Sequence, residues 1–172
     1  MNIKQKGLTL VELMVTLAVL VAVMAIGVPM FQGMASSNRA VTQGNALVAA
    51  LNLAKSEAIK RSGPVLLCSD ADANVSTLVC GDQSDWAKGW IVFGDSDEDG
   101  VLDSGEELRV WGELSGAATV TTATVSLQFN SDGSASAGAT FKVEQSKCSG
   151  TQASSITIIE SGQIRTEKVS CS

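Results

Sequence analysis

After the first six residues, a long stretch of the chain is free of charged side chains except at one place. Between Gly7 and Phe31 the only charge is Glu12, set in an apolar run that follows a short leader carrying Lys4 and Lys6. Residues 13–28 alone supply about 24 Å of helix at roughly 1.5 Å per residue, and residues 8–11 extend it toward the ~30 Å of a bilayer core. A membrane-crossing helix is the expectation. Pro29, with Gly27 and Gly33 on either side, is expected to interrupt and kink it.

From residue 37 to 61 the pattern turns amphipathic. Leu47, Leu51, Ala54 and Ala58 recur at helical spacing on one face with Val48 and Ile59 beside them, while Lys55, Glu57, Lys60 and Arg61 fall elsewhere and read as solvated charges. Ser62-Gly63-Pro64 ends the helix. Such a stripe needs a partner, so a sheet must cover it. Short runs rich in Val, Ile, Thr and Phe follow, separated by Gly, Asp, Asn and Ser. They predict strands near 65–68, 78–80, 90–93, 108–111, 119–129 with a break, 141–144, 155–159 and 163–169. Asn130-Ser131-Asp132-Gly133 is a turn. The class is therefore α+β, in four stretches: a leader (1–7), an apolar helix (8–31), an amphipathic helix (32–62) and a β-rich domain (63–172).

The leader changes the reading of the apolar run. In an ordinary secretory signal the cut follows the apolar region at small residues; here a cut can fall only before it, between Gly7 and Leu8. The helix then stays on the mature chain with a new amine at Leu8, one helical turn from Glu12. An ionised carboxylate in the bilayer core costs about 3 kcal/mol, so Glu12 calls for a cation, and the Leu8 amine of the same or a neighbouring chain is the candidate.

Gly7, Leu8, Thr9, Glu12 and Pro29 together resemble the amino terminus of type IV pilins and pseudopilins. The resemblance implies that a prepilin peptidase cuts after Gly7 and methylates the new terminus. It also implies that Glu12 docks each subunit onto its neighbour's amine in a filament. Phenylalanine is commoner than leucine after the cut. Further residues narrow the resemblance to the GspH/FimT group of minor pilins and pseudopilins and extend it over nearly the whole chain. They include Asn45, the run Ala54-Lys55-Ser56-Glu57-Ala58, Gly89-Trp90-Ile91-Val92-Phe93 leading into Asp95, Leu108-Arg109, Phe129, Gly133, and Gly162-Gln163-Ile164-Arg165 with Cys171. In that group Lys55 is more often arginine. The implied fold is type IV pilin-like: a long amino-terminal helix packed on a carboxyl-terminal antiparallel β domain, with the carboxyl terminus pinned by a disulfide. The implied location is the bacterial inner membrane, single-pass with a periplasmic carboxyl-terminal domain, and then a filament. The implied partners are other major and minor pilins or pseudopilins.

Charge and cysteines bound the function. Without Lys4 and Lys6 the chain keeps 10 basic residues against 18 acidic, a poor generic partner for DNA or an anionic membrane surface. Histidine is absent, which removes the commonest general base and metal ligand and argues against an enzyme. Cys68, Cys80, Cys148 and Cys171 lie beyond the apolar run, and an even count on the translocated side reads as disulfides. Of the three pairings, the sequence-local one, Cys68 with Cys80 and Cys148 with Cys171, is expected. No cofactor is required.

Two stretches carry candidate ligands. Residues 95–106 fit D-x-D-x-D-G-x5-E, the spacing of a calcium loop, with Asp95, Asp97, Asp99, the Val101 carbonyl, Asp103 and Glu106 as the donor set. The flanking runs are strand-like, so the loop is no EF-hand, and an acidic hairpin tip that keeps the chain soluble is the plainer reading of the same residues, with calcium as the alternative. Some members of the resembled group take up DNA through a carboxyl-terminal glycine, arginine, any residue, arginine stretch. Here Gln163 replaces the first arginine, leaving Arg165 and Lys168 to meet phosphates beside Glu160 and Glu167.

Overall fold

The computed structural model describes residues 9–70 and 78–172. Its first element is a single helix, α1 (Leu10–Arg61), whose helical backbone runs unbroken through Gly27, Pro29 and Gly33. Pro29 thus does not interrupt the helix: its missing N–H removes one bond of the ladder, and the turns on either side carry the helix across. The chain divides into two compact units, Met1–Ala35 and Ser36–Ser172.

In the first unit α1 is apolar on every side. Leu10, Leu13, Leu17, Leu20, Val23 and Ile26 are all exposed, and the helix is long and apolar enough to cross a membrane.

In the second unit α1 has an inner face. Ala40, Leu47, Ala50, Leu51, Ala54 and Ala58 are buried there. The helix ends in a Schellman motif: the Gly63 N–H reaches the Ala58 carbonyl and the Ser62 N–H that of Ile59, both at 3.3 Å, with Ser62 itself at a φ of 55°.

Two antiparallel sheets cover the helix. The first runs in the order β3-β2-β1-β5, from β1 (Val65–Ser69), β2 (Trp90–Gly94), β3 (Glu107–Trp111) and β5 (Ser126–Phe129). The second runs β4-β6-β7-β8, from β4 (Ala118–Thr121), β6 (Ala139–Gln145), β7 (Ala153–Ile158) and β8 (Ile164–Val169). Val65, Leu67, Val92 and Phe129 of the first sheet, Phe141, Val143, Ile156 and Ile158 of the second, and the helix stripe form one core. Strands β1 and β2 are buried on both faces. Their outer residues Leu66, Cys68, Ile91 and Phe93 make a second cluster under Leu78, Cys80 and Leu102.

Two sequence expectations change. The run at 119–129 does break, but β4 and β5 join different sheets. At 78–80 there is no strand: Cys80 makes only an isolated bridge to Asp70, because its disulfide, not a ladder, holds this stretch against β1. Residues 71–77, which precede it, lie outside the described residues.

Candidate assembly and recognition sites

The processing residues Gly7 and Leu8 lie outside the described residues. Thr9 stands just before the first turn of α1, and its Oγ1 accepts the Glu12 N–H at 3.3 Å. Threonine at this position with glutamate three residues on is the spacing of a capping box. Glu12 is exposed in the first turn, where the helix dipole favours a carboxylate. Pro29 sits inside α1.

The cysteines join as Cys68–Cys80, with an S–S distance of 2.02 Å, and Cys148–Cys171. The second bridge holds the end of the chain near β6 and β7. There the Cys171 N–H reaches the Gly150 carbonyl at 2.9 Å, the Ser172 N–H reaches Glu144 at 3.1 Å, and Lys142 donates to the Ser172 hydroxyl.

The acidic loop joins β2 to β3 and closes largely on itself. Asp95, buried beneath it, accepts the N–H groups of Asp99 (3.1 Å) and Gly100 (2.9 Å) on its two oxygens. Glu106 clips the other side, accepting from Ser96 (2.8 Å) and Asp103 (3.2 Å). Those two N–H groups hold the Glu106 carboxyl below its ordinary value. Asp97 is pushed the other way, by desolvation and then by the charge of Asp99. Of the six expected calcium donors the loop converges three: carboxylate oxygens of Asp95, Asp97 and Asp99 lie within 4.8 Å of one another. Asp103 and Glu106 stand outside that group, Glu106 because its oxygens serve as a backbone clip.

The two cations expected to meet DNA are not brought together. Arg165 pairs across to Thr157 and Lys168 to Ser154. Three residues apart on β8, they project from opposite faces of the sheet. The Arg165 guanidinium turns back to Gln163 at 3.2 Å. Gly162, in the same stretch, has a structural use. A Cβ there would lie 2.0 Å from the Gly133 carbonyl oxygen, and its φ is 73°.

Lys55 is what the sequence misread. It is half-buried rather than a solvated face charge, and its ammonium donates to the Gly162 carbonyl at 2.9 Å. Glu57 is paired instead with Lys60 at 3.0 Å and Arg61 at 2.8 Å, and the Arg61 bond, then that of Lys60, lowers its carboxyl. Gln43, also missed, is buried and reaches both the Ser115 carbonyl and Gln145. A polar side chain on the apolar stripe was the available signal.

The tryptophans belong to the packing. Trp86 is buried edge-on to Phe141 at 4.8 Å and donates to the Thr124 carbonyl at 2.8 Å. Trp90 stacks on Trp111 at 6.3 Å, and Arg109 lies 4.7 Å over the Trp111 ring.

Comparison with known proteins adds two family matches and one fold. Residues 43–162 match the family described as type II transport protein GspH. Residues 2–28 match the prokaryotic N-terminal methylation motif. Two crystal structures of the type IV minor pilin FimU of Pseudomonas aeruginosa are similar to this chain. The P21 form has 20% identity and a TM-score of 0.59, covering 76% of this chain and 89% of that one. The P65 form has 21% identity and a TM-score of 0.54, covering 72% and 88%. At such identity the likeness shows the fold, the long helix on antiparallel sheets of a type IV pilin. No curated protein matches the chain.

Proposed function

The chain belongs to the GspH family of pilin-like proteins, matched over residues 43–162, and on that premise we propose that it is a minor subunit of a type IV pilus that helps to initiate or cap the filament. It is made with a leader that prepilin peptidase removes after Gly7. The apolar part of α1 holds it in the inner membrane with its β domain in the periplasm, until it is assembled with other pilins.

The observation that carries this reading is the first unit. Its apolar side chains are exposed all round α1, with Glu12 in the first turn, so its partner must come from a membrane or from neighbouring subunits. Glu12→Ala is expected to stay membrane-inserted yet be absent from purified pili, where the wild-type chain is found. A mutant that co-assembles like wild type removes the role given to Glu12.

The family's description favours a second reading, a pseudopilin of a type II secretion system. Cells lacking this chain separate the two: lost pili restored by complementation support the first, while normal pili with impaired protein secretion support the second. A third reading, a DNA-binding minor pilin, would have to rely on Arg165 and Lys168 separately, since they project from opposite faces of β8.

A further inference from the structure

The second sheet ends at β8, whose outer edge pairs with no other strand. The Ile159 N–H reaches the Gln163 carbonyl at 3.2 Å, so the alternation of an antiparallel ladder makes Thr157 with Arg165 and Ser155 with Glu167 the hydrogen-bonded pairs that follow. Arg165 and Glu167 therefore turn their backbone groups toward β7. Ile164, Thr166 and Lys168 turn theirs outward, where no backbone or side-chain group among the described residues meets them. Residues 165–168 are exposed one after another, on both faces of the strand.

The charges of this edge lack partners as well. Arg165 and Glu167 lie on one face of the strand. Arg165 reaches the Gln163 amide oxygen at 3.2 Å, and among the described residues neither Arg165 nor Glu167 takes part in an ion pair. An open edge is a template for a further strand unless its charges prevent the pairing, and here the charges select one. When two copies pair antiparallel about a twofold axis, outward-facing residues must meet outward-facing residues. Three centres in the middle of β8 satisfy this. Centred on Arg165, two guanidinium groups meet, and centred on Glu167, two carboxylates meet; both are repulsive. Centred on Thr166, each Arg165 lies opposite the other copy's Glu167, and each Ile164 lies opposite Lys168, whose methylene stem covers it.

We propose that β8 is a contact between two copies of this chain, paired antiparallel about Thr166, so that the sheet β4-β6-β7-β8 continues into its twin. In the second unit α1 lies on one face of this sheet, with Gly44 so close to β7 that an added Cβ would stand 3.3 Å from that of Ser154. A twofold axis normal to the sheet keeps the two helices on the same side and reverses their direction. Subunits of one filament all point the same way, so on the filament reading above the contact joins copies on two filaments rather than neighbours in one.

The test follows self-association of the full chain in detergent micelles by sedimentation at rising protein concentration. The wild type is expected to dimerise. Arg165→Glu and Glu167→Arg are each expected to weaken the dimer about tenfold, because two attractions become repulsions, and the double variant to return within about threefold of wild type. Thr166→Cys, with both native bridges intact, is expected to be joined into a dimer by a short bis-maleimide, since the facing Cα atoms of a hydrogen-bonded pair lie about 5.5 Å apart. Val110→Cys, on β3 of the other sheet, is expected to stay unjoined. A chain that is monomeric at every concentration overturns the contact, its charges then serving only to blunt the edge. A double variant as weak as either single one overturns it too, as does association that neither single variant changes, which would place it on α1. None of these outcomes bears on the filament reading, which stands or falls by the Glu12→Ala assay.

Discussion

The two units of this protein share one helix and use it in opposite ways. Over residues 10–28 every side chain of α1 is exposed, most of them large and apolar. Over residues 47–58 the same helix buries Leu47, Ala50, Leu51, Ala54 and Ala58 completely against two sheets. Secondary structure is identical in the two stretches. What differs is the partner: the chain itself supplies one for the second stretch and leaves the first exposed.

The largest expected effect tests that division. Leu51→Ala removes a fully buried side chain and is expected to cost the second unit, Ser36–Ser172 and here called the head, about 2–5 kcal/mol, seen as a lower denaturant midpoint. Leu17→Ala, at an exposed position, is expected to change head stability by less than about 0.5 kcal/mol. A comparable loss in both variants would break the contrast.

The clamp around Lys55 sharpens it next. Gly162→Ala sets a methyl group against the Gly133 carbonyl in a left-handed backbone, and is expected to cost about 2–3 kcal/mol. Gly27→Ala, where an added Cβ meets nothing within 4 Å, is expected to leave the head unchanged. Equal melting temperatures for Gly162→Ala and wild type would remove the clamp.

Smaller effects ask how fully the head satisfies its own charges. The folded Glu106 carboxyl is lowered from 4.5, so its contribution is present above pH 4.5 and is lost as pH falls through the folded value. Asp97 is raised from 3.8, so its ionised form opposes folding above the folded value, and that penalty is relieved as pH falls toward 3.8. At pH 7, Glu106→Gln should therefore melt lower than wild type and Asp97→Asn higher, with both differences shrinking in acid. Denaturant midpoints across pH 3–7 read this directly, and opposite signs would refute the clip. Smallest of all is the expected effect of calcium. Because Glu106 and Asp95 already hold backbone N–H groups, excess calcium should leave the melting temperature where EDTA leaves it. A rise that Asp97→Ala abolishes would instead show that Asp95, Asp97 and Asp99 bind the ion.

What the sequence showed and hid follows the same division. Leu47, Leu51, Ala54 and Ala58 repeat within three or four residues of each other, so the buried stripe could be read from spacing alone. The Asp95 to Glu106 spacing likewise marked a closed loop, although which groups close it depended on backbone N–H directions that no residue pattern records. Lys55 was misread because its partner, Gly162, lies 107 residues away. The parting of β4 from β5 was hidden for a similar reason: strand runs are local, whereas the choice of sheet depends on pairings such as Val65 with Phe129 and Ala118 with Gln145. Arg165 and Lys168 looked like neighbours in sequence, and only the period of two along a strand separates them.

Both disulfides are short-range, spanning 12 and 23 residues. Neither one ties α1 to a sheet, or one sheet to the other. A subunit pulled through its helix in a filament under tension would thus transmit force to its β domain by packing, by the Lys55 and Gln43 hydrogen bonds and by the single chain passage after Arg61. Oxidation stiffens the loops without reinforcing that junction. Its mechanical strength is a matter of how fast the packed surfaces shear apart, and so depends on the rate of loading.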